Sequence, residues 1–253
     1  MGADLPHLGF REHLTLAGAP AGWPGGCVSA QRGYDFIVRE GKRSDGAWVR
    51  SVGADGGIVD ATADLYDLAF VLFAIAYYAR ATGDAESLSE ARRTLAWINA
   101  HMSHPAGGFY NTWPIEPGPR LQNPHMHLLE AVLALYETTG DGAYLDQATS
   151  LVTLFQTRFF DANTGTLGEH FTDELTIPAG PEGHHVEPGH HYEWVWLLDQ
   201  YARASGATPL VESARLYAFA EAHGVHPESR MPYDCVDRSG RVLRATTRLW
   251  PQT

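Results

Sequence analysis

Cysteine is nearly absent. Cys27 and Cys235 are the only two in 253 residues, too few and too isolated for a disulfide framework or a zinc motif, so a reducing compartment is expected. Positive charge is also scarce: 18 Lys+Arg stand against 30 Asp+Glu, a formal charge of −12. The chain therefore lacks the basic face that nucleic acid or an anionic membrane surface requires. No apolar run is long enough to read as a membrane span, and the opening Met1-Gly2-Ala3-Asp4-Leu5-Pro6-His7 lacks the charged-then-apolar layout of a secretion signal. A Gly-rich phosphate-cradling loop is missing too. These absences predict a soluble, cytoplasmic protein with neither nucleic acid nor membrane as partner.

Hydrophobic residues make up 44% of the chain, enough at this length to bury a sizeable core within one domain, 1–253. Three apolar helical stretches each run into a Gly-marked turn and a return helix. The first spans Asp64 to Arg80 and turns at Gly83; the second runs from Met126 to Tyr136 and turns at Gly140; the third runs from His190 to Arg203 and turns at Gly206. Eight residues after each glycine an Ala (Ala91, Ala148, Ala214) opens the next apolar stripe, and the same register appears at Gly22 and Ala30. Glycine supplies the left-handed residue that ends a helix cheaply. Short β-like runs lie between the hairpins: 47–52, 108–110 and 159–177, with a hairpin near 233–243.

A helical-hairpin repeat with long connections on one side predicts an all-α fold, an (α/α)6 barrel or toroid, which closes with about six hairpins. Three complete hairpins and one return helix are legible here, and residues 1–21 are atypical. The expectation is a partial barrel, with apolar helix faces at its open edge favouring self-association into a homo-oligomer.

The segment Glu187-Pro188-Gly189-His190-His191-Tyr192-Glu193-Trp194 carries the chemistry. Pro and Gly break the backbone before a Trp-rich apolar run, which reads as a helix start. His190 and Glu193 then stand three apart on one face, an imidazole beside a carboxylate. Asn123-Pro124-His125-Met126-His127-Leu128-Leu129-Glu130 repeats the pattern, with Glu130 placed to orient His127. Helix histidines are often satisfied core residues, and tryptophans in helical barrels often pack inside. His125 and His191 read as flanking residues. His184 and His185 fall in a Gly/Pro-rich loop.

Four blocks in order, Asp64-Leu65-Tyr66-Asp67-Leu68-Ala69-Phe70-Val71-Leu72, the Asn123 and Glu187 segments, and Arg248-Leu249-Trp250-Pro251-Gln252-Thr253, resemble the N-acylglucosamine 2-epimerase superfamily. Its members include sugar 2-epimerases, cellobiose epimerases and aldose–ketose isomerases of the mannose type. The resemblance covers residues 22–253. It implies that Asn123 and His127 contact a sugar and that His190 with Glu193 forms one arm of the acid/base machinery. It further implies a substrate-binding Arg on a first helix, where Arg11 is the only Arg nearby, and a later catalytic His that no block here matches.

Chemistry at C1 and C2 of a sugar removes a weakly acidic proton beside a carbonyl and stabilises an enediolate. Histidine suits the proton transfer because its pKa lies near working pH, and such chemistry needs no cofactor and no metal. The candidate catalytic residues are His190, Glu193 and His127; the candidate sugar contacts are Asn123, Trp250, Tyr66 and Trp113. The expected function is C1/C2 isomerisation or 2-epimerisation of an unphosphorylated hexose, with mannose-type aldose–ketose isomerisation favoured over N-acylglucosamine or cellobiose 2-epimerisation. Rival readings are a glycoside hydrolase or lyase on the same toroid, which needs two facing carboxylates, and a partial barrel that only binds sugar. A carboxylate-bridged metal centre would reuse the His/Glu i, i+3 spacing but needs further inward Glu residues.

Overall fold

The computed structural model describes residues 3–4 and 25–248. Gly22, Arg11 and Trp250 lie outside them. The chain divides into two compact units, one formed by Met1–Pro117 and His127–Tyr144, the other by Gly118–Met126 and Leu145–Thr253.

In the first unit, helix α1 (Gly26–Phe36) runs on into a π turn, Ile37–Gly41. Strands β1 (Ala3–Asp4), β2 (Ser51–Val52) and β3 (Ile58–Asp60) form a small antiparallel sheet, and β4 (Ala63–Asp64) leads into α2 (Leu65–Thr82). Asp64 caps α2 by accepting the Tyr66 N–H at 2.9 Å, which satisfies one of the donors a helix start leaves open. Gly83 closes α2 at φ 74°, and Asp84 at once caps α3 (Ala85–His101). The two helices pack along their length. Tyr34 of α1 stacks on Tyr78 of α2, and Trp48 donates its indole N–H to Thr94 of α3 at 2.9 Å.

Among the described residues α2 is the one helix long and apolar enough to cross a membrane, which corrects the sequence expectation that no such run exists. Its apolarity is met within the protein: Leu68, Leu72 and Ile75 are buried in the core, and Asp67 is buried with them.

Strand β5 (Thr112–Trp113) pairs with β4, Ala63 opposite Trp113. In the second unit β6 (Arg120–Leu121) precedes α4 (Asn123–Thr139), most of whose length belongs to the first unit. Helix α5 (Gly142–Leu154) follows Gly140, which has φ 68°. Hairpin β7 (Phe160–Asp161) and β8 (Thr166–Leu167) leads to β9 (His170–Phe171), which pairs with β6. Helices α6 (Pro188–Ser205) and α7 (Val211–His223) pack together, with Gly206 between them at φ 71°. Strands β10 (Cys235–Val236) and β11 (Val242–Arg244) form the last hairpin. Phe155 stacks on Trp194 at 4.3 Å, and Val186, Phe219 and Val236 form a cluster beside Tyr233.

The helical hairpins thus follow the sequence reading. The β-like runs are shorter than expected: of 47–52 only Ser51–Val52 forms a strand, and 108–110 contributes one bridge, Ser103 to Phe109. A substitution at Gly83 tests the turn chemistry. Nothing lies within 4 Å of the position a Cβ would take, so Gly83→Ala adds no clash and its cost is the left-handed backbone, about 1–2 kcal/mol. Thermal denaturation should show that loss.

Candidate active site

The second unit holds a buried polar cluster at the start of α6. Glu187 is extended, at φ −101° and ψ 110°, and Pro188 fills the first helical position, where its missing N–H costs nothing. This entry sets His190 in the first turn. Its Nδ1 lies 2.9 Å from Glu169 Oε2, and both residues are 5% exposed. Because a carboxylate only accepts, the proton sits on Nδ1 and the basic lone pair of the neutral ring is on Nε2. Glu169 Oε1 accepts the Glu187 N–H at 3.3 Å, a placement the helix dipole favours for an anion.

The strand pair supplies the carboxylate. Leu121 sits opposite His170 in the β6–β9 ladder, so the next residues, Gln122 and Glu169, come side by side. The Gln122 N–H donates to the Glu169 carbonyl at 3.3 Å, and Gln122 Nε2 donates to Glu169 Oε2 at 3.0 Å. Trp194 Nε1 donates to Gln122 Oε1 at 2.7 Å.

Burial on its own depresses the His190 pKa, but the adjacent Glu169 carboxylate, with Glu193 and Glu187 adding negative charge, outweighs it and raises the imidazole above its ordinary value. Burial likewise works to raise Glu169, and the His190 charge overrides it and lowers the carboxylate. Glu187 extends the cluster. Its Oε1 is 3.4 Å from His185 Nε2, and its Oε2 takes a charge-assisted hydrogen bond from Arg248 at 2.5 Å. Arg248 is in turn tied to Asp234 at 3.0 Å.

Glu193 is therefore not the group that fixes His190; Glu169 holds that place, and Glu193 acts on the ring through its charge. A side chain in a helix leans toward the N-terminus, which places the first-turn His190 within reach of Glu169, outside the helix. His125 and His191 are fully buried. His125 Nδ1 bonds the Leu121 carbonyl at 2.9 Å. His191 accepts the Leu167 N–H at Nε2 and bonds the Glu187 carbonyl through Nδ1, both at 3.3 Å. Burial pushes His125 down to about 3 and His191 to about 4, so both rings are neutral braces. Trp194 is core.

In the first unit, His127 Nδ1 lies 3.0 Å from Glu130 Oε2, the spacing read from the sequence. The ring is edge-on to Tyr66 at 5.0 Å and tilted against Phe70 at 4.6 Å. Asp64, which caps Tyr66, also receives Arg50 at 3.2 Å, and Arg50 reaches Asp60 at 3.0 Å and Glu116 at 3.1 Å. Trp113 is half-buried on β5, its ring 6.2 Å from His101. Asn123 opens α4 with a buried Oδ1 that has no hydrogen-bond partner among the described residues.

The structure thus gathers His190 with Glu169, Gln122, Trp194 and Glu187, and His127 with Glu130, Tyr66 and Phe70. Glu169, Gln122 and Arg50 escape the sequence reading. Among the described residues no group of three or more His, Cys, Asp or Glu is arranged to hold a metal ion.

Comparison with known proteins agrees with this picture. The family model for N-acylglucosamine 2-epimerase (GlcNAc 2-epimerase) matches residues 14–253. A mannose-6-phosphate isomerase of Rhizobium meliloti (strain 1021) is 35% identical over 250 residues, covering 95% of this chain and 64% of that protein. A D-mannose isomerase of Thermobifida fusca is 27% identical, covering 88% of this chain and 61% of that protein. The chain thus spans a little over three-fifths of the length of these curated relatives. The solved cellobiose 2-epimerase of Bacillus thermoamylovorans B4167 superimposes with a TM-score of 0.88 at 18% identity, over 99% of this chain and 68% of that one. The fold is therefore the helical toroid that the hairpin repeat predicts. With a family model spanning all but the first residues and a relative more than one-third identical, this chain belongs to the N-acylglucosamine 2-epimerase family.

Proposed function

We propose that the protein is a sugar isomerase or 2-epimerase working at C1 and C2 of an unphosphorylated hexose, with mannose-to-fructose isomerisation as its reaction. The observation that carries this reading is the buried His190–Glu169 pair at the start of α6. The raised imidazole is charged at neutral pH and can give its proton to the ring oxygen as the C1–O5 bond breaks, while the O1 hydroxyl gives its proton to water and becomes the carbonyl. The neutral ring that remains has its lone pair on Nε2, the form needed to remove the C2 proton beside the new carbonyl. Returning that proton to C1, while the O2 hydroxyl proton passes to O1, yields the ketose; returning a proton to the opposite face of C2 requires a second acid.

His127, held by Glu130, and Asn123, whose Oδ1 has no partner among the described residues, are proposed sugar contacts, together with Tyr66 and Trp113. Trp250 is a further proposed contact. Glu193 is proposed to tune His190 by charge. The same chemistry needs no redox cofactor, because hydrogen moves within one molecule.

A second substrate reading, a hexose 6-phosphate, is favoured by the likeness to the mannose-6-phosphate isomerase of Rhizobium meliloti. Proton NMR in deuterated water, run in parallel on D-mannose and D-mannose 6-phosphate, separates the two. Fructose formed from mannose with deuterium entering at the exchanging carbon is the expected result. Glucose as the product identifies an epimerase, turnover of the phosphate ester alone moves the substrate assignment, and no exchange with any aldose tested sinks the reading.

A further inference from the structure

Gln122 touches both members of the His190–Glu169 pair and also the core. An indole N–H can only donate, so the Gln122 atom facing Trp194 at 2.7 Å is the carbonyl oxygen, and the amide nitrogen is left facing Glu169 Oε2 at 3.0 Å. Glu169 Oε2 then receives two donors, Gln122 Nε2–H and His190 Nδ1–H, and the 3.2 Å approach of Gln122 Nε2 to His190 Nδ1 follows from their shared acceptor. An uncharged amide presents an acceptor to the indole on one arm and a donor to the carboxylate on the other. Gln122 and Trp194 are both 0% exposed, so bulk water cannot replace either bond. Trp194 is itself anchored by its stack on Phe155.

We propose that Gln122 and Trp194 are positioning residues: a one-way chain of donors from Trp194 through Gln122 fixes the Glu169 carboxylate and thereby holds the His190 proton on Nδ1 and the basic nitrogen at Nε2. The consequence for turnover rests on the acid/base role given to His190 above. The effect on the tautomer does not.

The test uses the chain labelled with 15N-histidine, followed by NMR across a pH titration, as wild type, Gln122→Met and Trp194→Phe. In the wild type, His190 should lose its charge to a single Nδ1–H tautomer with a slowly exchanging Nδ1–H. In Gln122→Met it should pass to a mixture of tautomers with faster Nδ1–H exchange. Trp194→Phe retains the ring stack, and should move the same way to a smaller degree. If Gln122→Met does not fold by circular dichroism, Trp194→Phe decides. A wild-type tautomer and exchange rate in the folded variants overturns the proposal. On D-mannose, kcat of Gln122→Met should fall roughly a hundredfold, as for other small displacements of a catalytic group, while KM is nearly unchanged. Scrambled tautomers in a chain whose wild type never exchanges sugar protons would sink the isomerase reading and leave the positioning role standing.

Discussion

Glu169→Gln is expected to abolish most turnover while leaving the fold in place. The substitution keeps the shape of the side chain but turns an acceptor-only group into one with a donor arm. The amide would meet two donors, Gln122 Nε2 and His190 Nδ1, around the position of Oε2, and cannot accept from both while also accepting the Glu187 N–H. The imidazole is then free to flip its proton to Nε2, the nitrogen the reaction needs bare. Where a carboxylate that orients a catalytic histidine is made an amide, kcat falls about 10⁴-fold, and a loss of that order in C2 exchange is the expected reading. With the negative charge gone, burial dominates, and the His190 titration should drop below its ordinary 6.5. A variant that retains more than a tenth of wild-type exchange would remove Glu169 from the acid/base unit.

The same pair sets a pH window for stability. His190 is raised in the folded state, so its contribution is complete below the unfolded value of 6.5 and is lost as pH climbs through the raised value. Glu169 is lowered, so its contribution is complete above 4.5 and is lost as pH falls through the lowered value. Denaturant melts should therefore show the wild type's advantage over Glu169→Gln at its largest between these two pH values, shrinking on either side.

Arg238→Met is expected to cost about 3 kcal/mol, the lower part of the range for breaking a buried ion pair from one side. The Arg238 side chain is 8% exposed and lies 3.4 Å from Asp161. It donates to Thr166 Oγ1 at 3.0 Å and, from Nε, to the Gly183 carbonyl at 2.7 Å. One guanidinium thus joins the β7–β8 hairpin to the loop that precedes α6. Methionine fills much the same length but satisfies none of these acceptors, and Asp161 would stay behind without its cation. The loop around Gly183 should become a preferred site of limited proteolysis, and the urea midpoint should fall with an unchanged slope. A midpoint equal to wild type would mean that the remaining bonds to Asp161, from the Asn163 N–H and Thr164 Oγ1, hold that carboxylate well enough alone.

The sequence discloses what repeats locally. Apolar periodicity marks α2, α4 and α6, the left-handed glycines mark their ends, and the Pro-Gly entry marks the turn that carries His190. It also discloses the His127–Glu130 pair, because in a helix interior a side chain leaning toward the N-terminus meets the residue three positions before it. The same spacing misleads at His190, whose Nδ1 is taken by Glu169 from outside the helix. Its partner comes from 21 residues upstream, between two strands of two residues each, in a stretch with neither helical nor alternating period. Gln122 is hidden for the same reason: its neighbourhood with Glu169 is created by the β6–β9 ladder, a pairing of segments about fifty residues apart. Arg50 and Arg238 also act across sequence, and no local pattern names their acceptors.

The short link at Gly83-Asp84 has a kinetic meaning as well. With two residues between α2 and α3, the contacts that join them are local, and local contacts form quickly because little loop entropy must be lost first. A nascent chain can therefore zip this hairpin together once its second arm has left the ribosome. The Ala63–Trp113 ladder, whose partners are some fifty residues apart, has to wait until the whole hairpin it brackets has been synthesised. Translation itself then sets an order of assembly, helices before the strands that tie their ends, and a ribosomal pause after Trp113 would be better tolerated than one inside α3.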